Sequence, residues 1–429
     1  MEIESLKYIL KDQKESLLSQ VLEVERKISS VLAQAIASKE IIIITGVRRC
    51  GKSTLMRQII HKLMRDGIGI ANILYINFED ERLQSFESSD FENMLLAHMQ
   101  LFAPKGKVYI FADEIQNVKN WEKWAYRMRE FELAKLFITG SNKSILKSDL
   151  STTLTGRTFV FDQYPFSLSE LTGEVDIYDK NIMNKAHITF EKYLLYGGFP
   201  EAILNQSKNI LSSYLRDIIS KDIVFRYQIK NIKEMEEFMY YILNLYGKRF
   251  TFAKLKNIFN MGSHNTVKNF IDYAQSSYLV FVIEDYSNSM SEIIRSPRKI
   301  YAIDHALAQQ VSNNPLIDKG AVMENIVFLE LKRKLSFDEK IFYWRDSKDR
   351  EVDFIIKKAN KIKFAIQVYY ELNQRKEQEI SALLEALNKF DLSKGIIITN
   401  SYEGTEIIKG KKIIYKPILK FLLSDKIDE

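Results

Sequence analysis

One segment, Gly46-Val47-Arg48-Arg49-Cys50-Gly51-Lys52-Ser53-Thr54, limits what this chain can fold into more than any other. It satisfies G-x-x-x-x-G-K-[ST] over 46–53, and its flanks agree. The β-branched run Ile41-Ile42-Ile43-Ile44-Thr45 precedes it as a strand buried on both faces, and Leu55, Ile59, Ile60 and Leu63 follow at helical spacing. Strand, glycine loop and helix form the context in which this motif cradles phosphate. Gly46 and Gly51 let backbone N–H groups close on phosphate oxygens, with the positive end of the helix facing the same charge. Lys52 would bridge the β- and γ-phosphates of a nucleotide such as ATP, and Ser53 would ligate Mg²⁺. Val47, Arg48, Arg49 and Thr54 complete the binding segment. Cys50 reads as a small residue filling the loop, not as a redox group.

A second buried-strand run, 108–112, delivers Asp113 and Glu114 at its carboxyl end, where a Walker B pair stands. Two adjacent carboxylates serve two tasks: Asp113 for Mg²⁺, Glu114 for the attacking water. Further strands are expected over 71–77, 136–140 and 158–162. The second of these ends in Ser141 and Asn142, either of which could sense a γ-phosphate. Arg157, just before the third, is the candidate arginine finger, a group that acts in trans and therefore requires at least a dimer.

Composition narrows the class. Hydrophobic residues are 46% and charged residues 28% of the 429, with 16 Gly and 6 Pro, the balance of a packed protein of several domains. The net charge of +6 excludes a global positive field, so any nucleic-acid contact must be local. A single cysteine and five scattered histidines exclude a disulfide framework and argue against a zinc site. The amino-terminal residues lack a signal-peptide pattern, and no apolar run reaches the ~18 residues a membrane span needs, so a cytoplasmic protein without membrane contact is expected.

GVRRCGKST, IFADEIQNVKNWEKW, LFITGSN, TGR and YGGFPEA together resemble a large group of prokaryotic, archaeal-type AAA ATPases. The resemblance covers nearly the whole chain. It implies an α/β fold: a P-loop NTPase parallel-sheet core, a helical lid, a winged helix and a C-terminal restriction-endonuclease-like domain. It also implies that Lys52, Ser53, Asp113 and Glu114 carry hydrolysis, with Asn142 or Ser141 as sensor and Arg157 as finger. The lid motif maps onto Gly197, Gly198, Phe199 and Pro200, with Pro200 near the base in place of the arginine sensor of better known AAA proteins.

The residues themselves support these boundaries: an N-terminal helical segment 1–35, core 36–166, lid 167–230, winged helix 231–310, and nuclease-like domain 316–429. Apolar spacing is helical across 167–227. Phe252, Leu255, Ile258 and Phe259 mark a short helix, and Ser263 caps a second one whose buried face is Val267, Phe270, Ile271 and Ala274. A hairpin of 278–284 with 298–303 follows, with Arg295, Arg298 and Lys299 near its connecting loop. His264, Asn265, Lys268 and Asn269, together with Arg298, would face double-stranded DNA; docking of a protein partner is the other use of such a module.

Near the carboxyl end, a helix, three strands, a helix over 375–389 and a strand resemble the PD-(D/E)xK nuclease order. Glu324 and Asp353 take the first two metal-ligand places. Gln367 stands in the third, but Tyr369 occupies the lysine position, and Lys363 lies on the same strand face. A degraded nuclease used for binding is therefore expected. The leading reading is a Mg²⁺-dependent ATPase coupled to DNA or a protein partner. The alternatives are a slow nucleotide switch with a protein-binding C-terminal domain, and an ATP-regulated nuclease.

Overall fold

The computed structural model describes residues 1–427 except 20–23, 144–153, 155, 174, 177–178, 313–317 and 372–375. Two compact units emerge: Met1–Phe166 with Ser276–Tyr278, and Ser167–Gln275 with Leu279–Glu429. Among the described residues no helix is long and apolar enough to cross a membrane.

In the first unit five parallel strands stand in the order β2-β3-β4-β1-β5, where β1 is Ile41–Thr45, β2 Ile73–Asn77, β3 Val108–Asp113, β4 Ala134–Gly140 and β5 Thr158–Asp162. The isoleucine run of β1 explains why it sits inside the sheet. Ile41 and Ile43 feed one core with Leu6, Leu74 and Ile110, while Ile42 and Ile44 feed the other with Leu55, Ile59 and Phe137. Each such side chain contributes about 1.5–3 kcal/mol on burial, so a polar residue anywhere in the run would be costly. The helix Ile3–Ser19 covers the first face through Leu6, Ile9 and Leu10; the helix Lys52–Arg65 covers the second.

The second unit begins with short helices. Ser167 caps Leu168–Thr172 in a reciprocal box with Glu170. The helix Lys180–Tyr196 ends at Gly197, which has φ +73 and no room for a Cβ: that atom would lie 2.3 Å from Asp304 Oδ1. The Gly198 N–H donates to Asp304 Oδ2 at 2.7 Å, and Asp304 Oδ1 accepts from Leu307 N at 2.9 Å. The two glycines thus let the chain wrap a buried carboxylate that also caps the helix His305–Gln309. Gly197→Ala should destabilise the fold by about 1–3 kcal/mol from its backbone conformation alone. Displacing Asp304 adds to that, so a thermal scan should read a Tm lower by roughly 3–10 °C; an unchanged Tm would show that the chain does not need glycine there.

Helices Ile232–Leu243, Phe252–Ile258 and His264–Ser276 accompany a three-stranded sheet ordered β6-β8-β7, with β6 Lys248–Phe250, β7 Val280–Ile283 and β8 Arg298–Ala302. Strands β7 and β8 pair antiparallel with Val282 opposite Ile300. Two features differ from the sequence reading. The connection between them contains a helix, Met290–Arg295, and β6 is an added strand too short to carry a periodic signal.

The C-terminal sheet has the order β13-β14-β12-β11-β10-β9, with β9 Glu339–Arg345, β10 Glu351–Lys358, β11 Lys361–Tyr369, β12 Lys394–Thr399, β13 Gly404–Ile408 and β14 Lys411–Pro417. β9, β10 and β11 form a meander. The helix Lys376–Lys389 then crosses over to β12, which is parallel to β11, as a parallel pair requires. The expected start of that helix, Arg375, lies outside the described residues. Strands β13 and β14 and the helix Ile418–Leu423 extend the domain past the elements read from sequence.

Candidate functional site

Phosphate-binding loops sit where parallel strands end, and here β1 and β3 end on the same edge with β4 between them. Residues 46–51 leave β1 and the helix begins at Lys52. Gly46 cannot be replaced without movement, because a Cβ would lie 2.2 Å from the Gln163 carbonyl oxygen. Gly51 has φ +96, and a Cβ there would approach Arg26 Nη2 to 2.8 Å. Arg48 pairs with Glu79. The Cys50 thiol is fully buried, 3.3 Å from the Gln163 carbonyl oxygen, and burial pushes its pKa up, which removes thiolate character.

Lys52 is buried, with Nζ 3.2 Å from Glu114 Oε1, 3.2 Å from the Gly46 carbonyl and 3.4 Å from that of Val47. Glu114 holds a left-handed backbone, φ +53, fixed by its N–H donating to Thr139 Oγ1 at 2.9 Å. A non-glycine residue in that region costs energy that the surroundings must offset, and such outliers gather at functional sites. Burial pushes the Glu114 carboxyl up, but the Lys52 ammonium and the Gln116 amide outweigh it and hold the group below its ordinary value. Asp113 behaves oppositely: burial and the neighbouring Glu114 charge raise it, against hydrogen bonds from Ser53 and Thr139. Tyr75 OH donates to its other oxygen at 3.0 Å. One carboxylate is thus held ionised and the other is poised by hydroxyl donors, an arrangement that separates base work from cation binding.

Ser53 and Asp113 are hard oxygen donors in contact with each other, which suits Mg²⁺. A cavity of about 440 Å³ opens beside Ser53, lined also by Arg57, Tyr75 and Asn77. Ser141 and Asn142 are both fully buried directly after β4, the strand between the loop strand and the Asp113 strand. Arg157 is not brought to this edge. Ile41 pairs with Thr158, so Arg157 stands where β1 and β5 begin, at the opposite end of the strands from the loop. There it lies 3.7 Å from Glu130 and packs over Tyr126. Pro200 opens the helix Pro200–Leu204 in the second unit, where its glycine neighbours are engaged by Asp304.

Three residues of this neighbourhood carry no motif. Gln58 clips the backbone of Arg26 with an amide pair, accepting from its N–H at 2.8 Å and donating to its carbonyl at 2.7 Å. The Arg26 guanidinium then donates to the Cys50 carbonyl and stacks 3.9 Å from the Phe166 ring centre, bracing the loop from outside. The Tyr278 hydroxyl donates its one proton to Asp162 and lies 2.7 Å from Thr45 Oγ1. No local pattern could have announced these partners, since each is far away in sequence.

His264, Asn265, Lys268 and Asn269 are exposed along one helix, and Ser263 caps it. Arg298 is partly engaged, 3.4 Å from Glu284 and stacked 4.7 Å from the Phe252 ring centre. Lys299 departs from the expected basic loop: it lies within β8 and is 2% exposed. Its neighbours are Glu324 and Asp353, which the structure does bring together. The Gln367 side-chain oxygen accepts from the Asp353 backbone N–H at 3.2 Å. Lys363 is exposed. Among the described residues no group of three or more His, Cys, Asp or Glu stands in a metal-binding arrangement.

The family described as an AAA domain matches residues 38–172, and two domains of unknown function, DUF8612 and DUF4143, match 188–316 and 319–419. An uncharacterized protein of Methanocaldococcus jannaschii, MJ1544, is 34% identical over 387 residues, covering 85% of this chain and 83% of that one. An uncharacterized protein of Haemophilus influenzae is 29% identical, covering 87% and 92%. Among solved structures, the ORC1 protein of Aeropyrum pernix in complex with DNA is 12% identical, covers 70% of this chain and 96% of its own, and has a TM-score of 0.31.

Proposed function

The chain belongs to the family of prokaryotic AAA-type P-loop ATPases that includes MJ1544, and on that footing we propose that it hydrolyses ATP with Mg²⁺ and couples its nucleotide state to double-stranded DNA. The observation that carries this reading is the contact of Lys52 with Glu114 at 3.2 Å. A nucleotide's phosphates would compete for the Lys52 ammonium and release Glu114 to accept a proton from water. Ser53 and Asp113 would hold Mg²⁺, which when bound polarises phosphate oxygens. Backbone N–H groups of 46–54 would orient the phosphates, and Ser141 or Asn142 would meet the γ-phosphate. Arg157, directed away from this chain's own loop, would serve a neighbouring copy.

The partner reading rests on the exposed row His264, Asn265, Lys268 and Asn269. Lys268→Ala and Arg298→Ala should each weaken binding to duplex DNA and reduce the salt slope by about 0.9 for each phosphate no longer neutralised. Fluorescence anisotropy at several salt concentrations measures both. Identical curves for wild type and both variants would replace DNA by a protein partner.

Steady-state phosphate release with and without duplex DNA tests the whole reading. Stimulated turnover supports a DNA-coupled ATPase; tight nucleotide binding with almost no turnover, indifferent to DNA, would make the protein a slow switch. Engagement of Arg298 by Glu284 and Phe252 is the observation that favours this second reading, because it lowers the charge left for phosphate.

A further inference from the structure

Three carboxylates from two elements converge in the second unit: Glu324 on the helix Lys319–Lys334, and Glu351 and Asp353 on β10. At their meeting point stands an ammonium. Lys299 Nζ is 2.6 Å from Glu324 Oε1 and 3.0 Å from Asp353 Oδ1, and it also pairs with Glu351. An ammonium has three N–H donors and no acceptor, so each donor meets one carboxylate. The lysine does not come from β11, where Tyr369 fills the place a nuclease would give it, but from β8, in a different sheet.

Two of the three remaining oxygens are engaged as well: the Val368 N–H donates to Asp353 Oδ2 at 2.9 Å, and Arg249 lies 3.3 Å from Glu351 Oε2. Tyr301 OH donates at 2.6 Å to Glu324 Oε1, the oxygen that already faces Lys299, which leaves Glu324 Oε2 outside these contacts. A divalent cation such as Mg²⁺ needs several free oxygens and some retained water at about 2.0–2.1 Å. These acids cannot supply them unless Lys299 leaves, and Lys299, 2% exposed, would then lose all three of its partners in a buried setting. The residues present do not fit a metal.

We propose that Lys299 is a built-in cation that takes the place of a divalent metal at the acidic centre of the C-terminal sheet domain, closing that centre and tying β8 to it. The centre is then a joint between two sheets and not a cleavage site. The inference is independent of ATP turnover, since none of its residues belongs to the phosphate loop.

Mn²⁺ titration of the full nucleotide-free chain, read as loss of the free-ion signal in electron paramagnetic resonance, tests it. Wild type and Asp353→Asn should give the same isotherm. Lys299→Met, checked for folding by circular dichroism, should gain one Mn²⁺ site at least tenfold tighter than the wild-type background, and Lys299→Met/Asp353→Asn should lose it. Wild-type Mn²⁺ binding that Asp353→Asn abolishes would overturn the proposal, as would a folded Lys299→Met with no added site. Acetylation footprinting of the wild type decides the matter if Lys299→Met fails to fold. Lys299 should be among the slowest lysines to react, with or without Mn²⁺; a rate like that of exposed Lys363, or one accelerated by Mn²⁺, would overturn it.

Discussion

Glu114→Gln is expected to lower ATP turnover by about 10²–10⁴-fold while leaving nucleotide binding intact, the range typical for loss of a positioned general base. The substitution keeps shape and can keep the contact with Gln116, but it removes the carboxylate that Lys52 holds ionised. Affinity should stay equal or rise, because the Lys52 ammonium, now 3.2 Å from that carboxylate, is freed for phosphate. Phosphate release under saturating ATP, beside the Kd of a fluorescent nucleotide, separates the two effects. A variant that turns over within a few-fold of wild type would remove Glu114 from the role of base.

Lys52→Met is expected to abolish nucleotide binding, with a Kd weaker by about 10²–10³-fold, since charge-assisted contacts to phosphate are the strong ones and each 1.4 kcal/mol is tenfold. It should also destabilise the nucleotide-free protein, for a reason visible in the same contact. Removing the ammonium leaves Glu114 as a buried charge without its cation, and breaking a buried pair from one side costs about 3–5 kcal/mol. Lys52→Met/Glu114→Gln should recover much of that stability without recovering binding. Denaturant melts and nucleotide titrations of the four proteins complete a double-mutant cycle; additive stabilities would mean that the two residues are not coupled.

What could be read in advance was local. The isoleucine run, the glycine loop and the apolar spacing after it are consecutive, so backbone propensity and phosphate chemistry act within one short stretch. The same holds for Asp113-Glu114 at a strand end and for the Ser263 cap. Strand order was not legible: β4 separates β1 from β3, which puts Thr139 between Asp113 and Glu114 as a shared partner, and no spacing reveals that. Nor could spacing show that Arg157 and the phosphate loop lie at opposite ends of paired strands.

Lys299 marks the limit most sharply. In the sequence it is one of several basic residues beside a turn, and a charged residue in such a run is usually solvated. Its strand register turns it inward, where three acids from elsewhere in the chain offset the cost of burying it. By itself the sequence determined the phosphate-binding loop and the carboxylate pair after β3, because each depends on neighbours along the chain. Only the tertiary structure decided which charges meet: Lys52 with Glu114, Arg26 against the loop, and Lys299 at the acidic centre, since the energy of a buried charge depends on partners that folding alone brings within a few ångströms.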